Sequence, residues 1–140
     1  MAEHTADATW SGSLMDGDGV VALGSGVWSG TYATPDVADA TDPEELLAAA
    51  QASCFAMTAS YAFEQAGYSP QRVSADSVVT LEQTETGFSI PTVEVAVGGT
   101  VPDATDAEFR AVVADAEDAC PVSGALAGTD VQVSVDPSKR

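Results

Sequence analysis

Residues 42–55, which read Asp-Pro-Glu-Glu-Leu-Leu-Ala-Ala-Ala-Gln-Ala-Ser-Cys-Phe, decide the fold of this chain. A polar N-cap, a proline in the first turn and two carboxylates near the positive end of the dipole are typical of a helix start. The next 18 residues, Leu46 to Phe63, carry no charge. We therefore predict a long helix over about 43–66 that other protein must enclose, with a thiol, Cys54, near its middle.

The uncharged run is just long enough to raise the question of a membrane span. It is rich in alanine, it contains Gln51 and Ser53, and acidic residues flank it. This composition favours the central helix of a globular core. The first residues, Met1 to His4, are polar and no apolar segment follows them, so we expect neither a signal peptide nor membrane association.

The charge balance of the chain is extreme. Its 140 residues include 22 acidic and 4 basic side chains, for a net charge of -18. Such a field repels nucleic acid and anionic membranes, so we expect neither as a partner. The acids are scattered and 45% of the residues are hydrophobic, which favours one globular domain, residues 1–140, over disorder. We interpret the acidic surface as an adaptation to a high-salt cytoplasm, as in a halophilic archaeon.

The order of predicted elements indicates an α+β fold. The N-terminal region favours a β-hairpin and a short third strand, and the long helix follows; Thr41 or Asp42 is its predicted N-cap. The remaining predicted elements, in chain order, are strands over 73–83 and 88–101, a helix from Asp103 or Thr105 to about Ala119, a short helical turn after Cys120 and Pro121, and a strand over 129–136.

Two cysteines, Cys54 and Cys120, lie 66 residues apart, so no local CxxC motif is present. With His4 as the one histidine, we expect no metal site. Taken alone, Cys54 fits a small apolar residue at a helix contact. Cys120 precedes Pro121 at a helix start, where backbone N–H groups favour a thiolate. Because we expect no leader, the pair favours redox chemistry over a structural disulfide.

The surroundings of both cysteines resemble those of one protein family. Residues 42–57 resemble the signature helix of the OsmC/Ohr family of peroxide-reducing proteins, and Ala-Cys-Pro-Val-Ser at 119–123 resembles that family's second cysteine motif. Further similar segments follow in family order: Trp-Ser-Gly at 10–12, Glu-Gln-Ala-Gly-Tyr-Ser-Pro at 64–70 and Gly-Phe-Ser-Ile at 87–90. The resemblance covers about residues 6–136 and is closer to the OsmC branch.

The resemblance implies a cysteine-based hydroperoxide reductase without haem, metal or other cofactor. Cys54 would attack the hydroperoxide and become a sulfenic acid, and Cys120 would resolve it to a disulfide. A dithiol reductant, for which a lipoyl group is one candidate, would then reduce the disulfide. The implied fold has antiparallel sheets around a long central helix. It forms an intertwined homodimer with active sites at the subunit interface. We expect the protein in the cytoplasm.

The chain departs from the family at one charged position. The family places an arginine before the signature helix and holds it with a glutamate at the helix start. Glu44 matches the glutamate, whereas Thr34 or a neighbour occupies the place of the arginine. Glu44 lies ten residues, about 15 Å of helical rise, from Cys54. Either the helix begins later than predicted, or Glu44 acts across the dimer, or it only complements the helix dipole. The alternative function is therefore a small-molecule binding or stress protein without peroxidase activity.

Salt is expected to stabilise this chain against heat. At molar salt the Debye length falls to about 3 Å, so the repulsion among surface carboxylates is screened. The midpoint of thermal unfolding should rise steadily through a KCl series, measured by circular dichroism. A midpoint that falls as KCl rises would contradict the assignment of the acidic surface to high salt.

Overall fold

The computed structural model describes residues 1–140, which form two compact units, Met1–Leu46 and Leu47–Arg140. The long helix α1, Pro43–Gln65, starts in the first unit and continues through the second, so the predicted helix over 43–66 is confirmed. Its N-cap is Asp42, whose Oδ1 accepts a hydrogen bond of 2.8 Å from the backbone N–H of Glu45.

The first unit holds a three-stranded antiparallel sheet. Its strands, in spatial order, are β1 (Ala6–Ser11), β2 (Asp18–Leu23) and β3 (Ser29–Tyr32). The predicted hairpin and third strand are therefore confirmed. Gly19 of β2 pairs with both Trp10 and Tyr32, whose ring centroids lie 5.4 Å apart. A Cβ at this position would come within 2.4 Å of the Tyr32 ring, so the contact requires glycine.

The second unit combines a sheet with helices. Its elements after α1 are β4 (Arg72–Val79), β5 (Glu82–Thr84), β6 (Gly87–Ser89), β7 (Thr92–Thr100), α2 (Asp106–Ala119), α3 (Pro121–Ala125) and β8 (Asp130–Val135). The sheet has the order β4-β7-β8, and β5 and β6 form a separate hairpin. The predicted α+β fold and second helix are confirmed, and Thr105 caps that helix in a capping box with Glu108.

One strand pairing differs from the predicted antiparallel pattern. The pair β4–β7 is antiparallel, but β8 runs parallel to β7. Helices α2 and α3 form the crossover between β7 and β8, and a crossover of this kind brings a strand back in parallel. The long predicted strands over 73–83 and 88–101 are each divided in two, because β5 and β6 form a tight hairpin of their own.

The core of the second unit lies where α1 and α2 meet the sheet. Alternate residues of the central strand β7 are fully buried, and each helix contributes one apolar stripe. The largest of these side chains are Phe55 and Phe63 from α1 and Phe109 from α2. The rings of Phe63 and Phe109 lie 4.8 Å apart.

A single chain covers only one side of α1. The buried residues of this helix follow an i, i+4 spacing: Gln51, Phe55, Ala59, Phe63. On other faces Met57 is 75% exposed and Tyr61 62% exposed, so the expectation that the uncharged helix is enclosed is not met within one chain. By length and composition α1 is also the one helix that could cross a membrane, a property it shares with core helices of soluble proteins.

Truncation of Phe63 is expected to destabilise the fold strongly. This ring is fully buried against Phe109, so Phe63→Ala should cost about 3–5 kcal/mol in the free energy of unfolding. Phe88→Ala is the matched control, because Phe88 is 64% exposed, and it should cost less than about 0.5 kcal/mol. Urea denaturation at constant salt measures both. Equal losses in the two variants would contradict the assigned core.

Candidate active site

Local backbone structure places the two cysteines differently. Cys54 lies on α1, half-buried, next to the buried stripe of that helix. Cys120 is the C-cap of α2 and the N-cap of α3, with an extended backbone (φ -74°, ψ 114°) and 2% exposure. Pro121 explains the break, because a residue before proline is disfavoured in the helical region and proline is well suited to a first helical turn.

The fold brings the two thiols together. Their Sγ atoms lie 3.5 Å apart, although 66 residues separate them along the chain. Both are free thiols at this distance, and one can donate a hydrogen bond to the other. A disulfide has an S–S distance of about 2.0 Å, so an approach of roughly 1.5 Å would close the bond. The site can therefore form an intramolecular disulfide through a small side-chain movement.

Hydrogen bonds favour the thiolate of Cys120. Burial alone would raise its pKa, because it disfavours charge. The side chain and backbone N–H of Ser123, the thiol of Cys54 and the backbone N–H of Val122 oppose burial, and the net effect lowers the pKa below its ordinary value. No basic side chain contributes to this shift.

Two polar residues of this site were not predicted from the sequence. Gln51 is fully buried, and its Nε2 donates a hydrogen bond of 2.7 Å to Oγ of Ser123. The Oε1 atom of the same amide is buried without a partner. A pattern in the sequence could have indicated them: Gln51 comes three residues before Cys54, and Ser123 three residues after Cys120.

Glu44 is not among the groups that contact the thiols. It lies half-buried in the first turn of α1, and its carboxylate has no hydrogen-bond or salt-bridge partner in the chain. The rise of an α-helix places it about 15 Å before Cys54 along the axis. The structure thus brings the sulfurs of Cys54 and Cys120 close together, and the role of Glu44 stays a prediction.

The basic residues are positioned elsewhere. Lys139 pairs with Asp76, and Arg140 pairs with Asp106 while its guanidinium lies 4.1 Å from the centre of the Phe109 ring. The other two, Arg72 and Arg110, are exposed. The structure also contains no cluster of three or more His, Cys, Asp or Glu side chains able to hold a metal ion. The polar partners of the thiol pair are therefore neutral.

Comparison with known proteins gives consistent matches. The family model for OsmC-like protein matches residues 36–136. Peroxiredoxin OsmC of Escherichia coli (strain K12) is 32% identical over 123 residues, which cover 85% of this chain and 86% of that protein. The organic hydroperoxide resistance protein of Xanthomonas axonopodis pv. citri (strain 306) is 40% identical over 92 residues, covering 64% of this chain and 62% of that protein.

Solved structures resemble the fold over nearly its whole length. The organic hydroperoxide resistance protein OhrB of Bacillus subtilis superposes with a TM-score of 0.76 at 26% identity, covering 94% of this chain and 98% of that one. The organic hydroperoxide resistance protein OsmC of Legionella pneumophila gives a TM-score of 0.75 at 31% identity, covering 97% and 99%.

Mild oxidation is expected to join Cys54 to Cys120 within one chain. The sulfurs lie 3.5 Å apart, so the bond should form in the folded protein without denaturant. Diamide treatment followed by non-reducing peptide mapping measures it, and Cys54→Ser is the control in which the linked peptide should be absent. Oxidation that yields only disulfides between chains would contradict the geometry.

Proposed function

Because this chain belongs to the OsmC-like protein family, we propose that it is a thiol-dependent peroxidase that reduces organic hydroperoxides, with hydrogen peroxide as a second substrate. The names of its relatives, a peroxiredoxin and an organic hydroperoxide resistance protein, support a peroxidase-type role. The observation that carries the proposed mechanism is the 3.5 Å separation of the Cys54 and Cys120 sulfurs. A cysteine peroxidase with a resolving thiol needs such a pair.

In the first step, the thiolate of Cys54 attacks the terminal oxygen of the hydroperoxide. The O–O bond breaks, the sulfur is oxidised by two electrons to a sulfenic acid, and the alkoxide takes up a proton and leaves as the alcohol. We assign this role to Cys54 because it is half-buried and accessible, whereas Cys120 is 2% exposed. Accessibility is required of the thiol that meets the substrate.

In the second step, the thiolate of Cys120 attacks the sulfur of the Cys54 sulfenic acid. The S–S bond forms, and hydroxide leaves and becomes water on protonation. This reaction removes the sulfenic acid before a second peroxide can oxidise it to the sulfinic acid. A dithiol reductant, for which we propose the lipoyl class, then restores both thiols by disulfide exchange.

We further propose that the enzyme is a cytoplasmic homodimer. Cys54, Met57 and Tyr61 follow one another at i, i+3 and i+7 on α1, and the two larger side chains are mostly exposed in a single chain. A second copy that covers this apolar face would place Cys54 at the subunit interface. In that arrangement Glu44 would act near the thiol of the second copy. The acidic surface suits a high-salt cytoplasm. We also propose that residues 1–140 form a single OsmC-like domain.

The alternative function is that of a small-molecule binding or stress protein that has lost peroxidase activity. The observation that favours it is the position of the basic residues: Lys139 and Arg140 pair with carboxylates, and no cation supports the thiol pair. A cation beside a thiolate is a usual source of reactivity in cysteine enzymes. The kinetics of the first oxidation step distinguish the two functions.

Anaerobic stopped-flow mixing of the reduced protein with cumene hydroperoxide tests the proposed function. The wild type should react at least about a hundredfold faster than free cysteine, which is the lower end of the gain that a positioned catalytic group provides. Cys54→Ser should lose the reaction. Cys120→Ser should complete one oxidation, accumulate the sulfenic acid and proceed to the sulfinic acid under excess peroxide, as measured by intact mass.

A wild-type rate no greater than that of free cysteine would support the binding-protein alternative instead. Loss of the first oxidation in Cys120→Ser, together with its retention in Cys54→Ser, would show that the two cysteines have exchanged roles. Measurements in high KCl keep the acidic protein folded throughout, and thermal unfolding of each variant under the same conditions confirms it.

A further inference from the structure

Gln51 is the one polar side chain that is fully buried in this chain. It lies within the uncharged run of α1, in the apolar stripe that includes Phe55 and Ala59. A buried amide is costly unless its polar atoms are paired, and here only one of them is: Nε2 donates to Ser123, whereas Oε1 has no partner. Packing alone would favour an apolar residue at this position, so the donated hydrogen bond calls for a functional explanation.

The hydrogen bond from Gln51 determines what the Ser123 hydroxyl can do. A hydroxyl has one proton to donate and two lone pairs that accept. The Nε2 group of Gln51 occupies an acceptor position at 2.7 Å, so the hydroxyl proton remains available to donate to the sulfur of Cys120, and Ser123 lowers the pKa of that thiol. This arrangement leaves room for a chain of donors from Gln51 through Ser123 to the thiol of Cys120, and such chains strengthen each member.

The same hydrogen bond also fixes the position of the two sulfurs. Gln51 precedes Cys54 by three residues on α1, and Ser123 follows Cys120 by three residues on α3. The Gln51–Ser123 bond and the sulfur pair therefore connect the same two helices at points about one turn apart. A short polar bond beside the thiols holds the helices at the separation that leaves the sulfurs 3.5 Å apart.

We propose that Gln51 and Ser123 are positioning residues of the resolving step: a neutral hydrogen-bond relay that aims the Cys120 sulfur at Cys54 and directs a donor to it. This inference rests on the proposed function, and it concerns the second step, in which Cys120 resolves the Cys54 sulfenic acid. The relay stabilises the Cys120 thiolate, which displaces hydroxide from the Cys54 sulfenic acid and so completes the disulfide. It requires no charged side chain, which agrees with the absence of a cation at this site.

Removal of the Ser123 hydroxyl should raise the pKa of Cys120 by about one to two units, the range expected for one hydrogen bond to a charged group. The thiolate fraction falls about tenfold for each unit, but a more basic thiolate is a better nucleophile. Below both pKa values, disulfide formation should therefore slow by about three- to fourfold per unit. Above both values every variant is ionised, so the variant with the more basic thiolate should react faster, by about threefold per unit.

The experiment compares Ser123→Ala, Ser123→Thr and Gln51→Met with the wild type, each also in a Cys54→Ser background. In that background ultraviolet thiolate absorbance against pH reports Cys120 alone. In the parent background, rapid quenching after one equivalent of cumene hydroperoxide gives the rate of disulfide formation. Ser53→Ala is the matched control, since Ser53 adjoins Cys54 but donates to backbone carbonyls of its own helix.

The proposal expects Ser123→Ala and Gln51→Met to raise the Cys120 pKa and slow disulfide formation below that pKa, with Ser123→Thr restoring both and Ser53→Ala changing neither. Gln51→Met should do so without loss of thermal stability, because it fills the same space and removes the unpartnered Oε1. A purely structural role would instead lower stability and leave the pKa unchanged.

An unchanged Cys120 pKa in both Ser123→Ala and Gln51→Met overturns the proposal. If one variant fails to fold, the other decides, because each interrupts the same relay. The pKa measurement needs no peroxide, so it tests the relay even if the wild type proves inert toward cumene hydroperoxide. A wild type that does not react with cumene hydroperoxide would contradict the proposed function and not the hydrogen-bond relay.

Discussion

The site depends on the packing of α1 against the junction between α2 and α3. This contact brings the sulfurs of Cys54 and Cys120 to within 3.5 Å of each other, although α1 and the α2–α3 junction are distant in sequence. Phe55 and Phe63 anchor α1 in the core through fully buried rings. The break at Pro121 sets Cys120 at a helix junction, where the nearby groups of Ser123 and Val122 lower the pKa of its thiol. Packing therefore brings the two sulfurs together, and the polar groups at the junction favour the thiolate of Cys120.

The electrostatics of the surface and of the site follow different rules. The surface carries a net charge of -18, which tends to oppose compaction at low salt and is screened at high salt. The thiol pair is supported by the neutral donors of Gln51 and Ser123, which act over hydrogen-bond distances in a partly buried environment. Salt screens exposed charges far more than buried hydrogen bonds. A neutral site is therefore suited to the conditions in which an acidic surface is stable.

Local signals in the sequence predicted much of the fold. Capping residues and proline positions indicated the bounds of α1 and α2, because helix ends depend on nearby backbone groups. The parallel pairing of β8 with β7 and the bond between Gln51 and Ser123 were not predicted, since both join segments far apart in sequence. The meeting of the two cysteines was anticipated through family resemblance, and spacing alone could not have indicated it.

The effective concentration of Cys54 toward Cys120 tests most directly whether the fold holds the sulfurs together. It follows from the equilibrium of the protein dithiol with glutathione, measured once in the folded state at high KCl and once in urea. A flexible chain gives values in the millimolar range or below. The account predicts at least about a thousandfold increase on folding, as expected for preoriented groups. Equal values in the two states would contradict it.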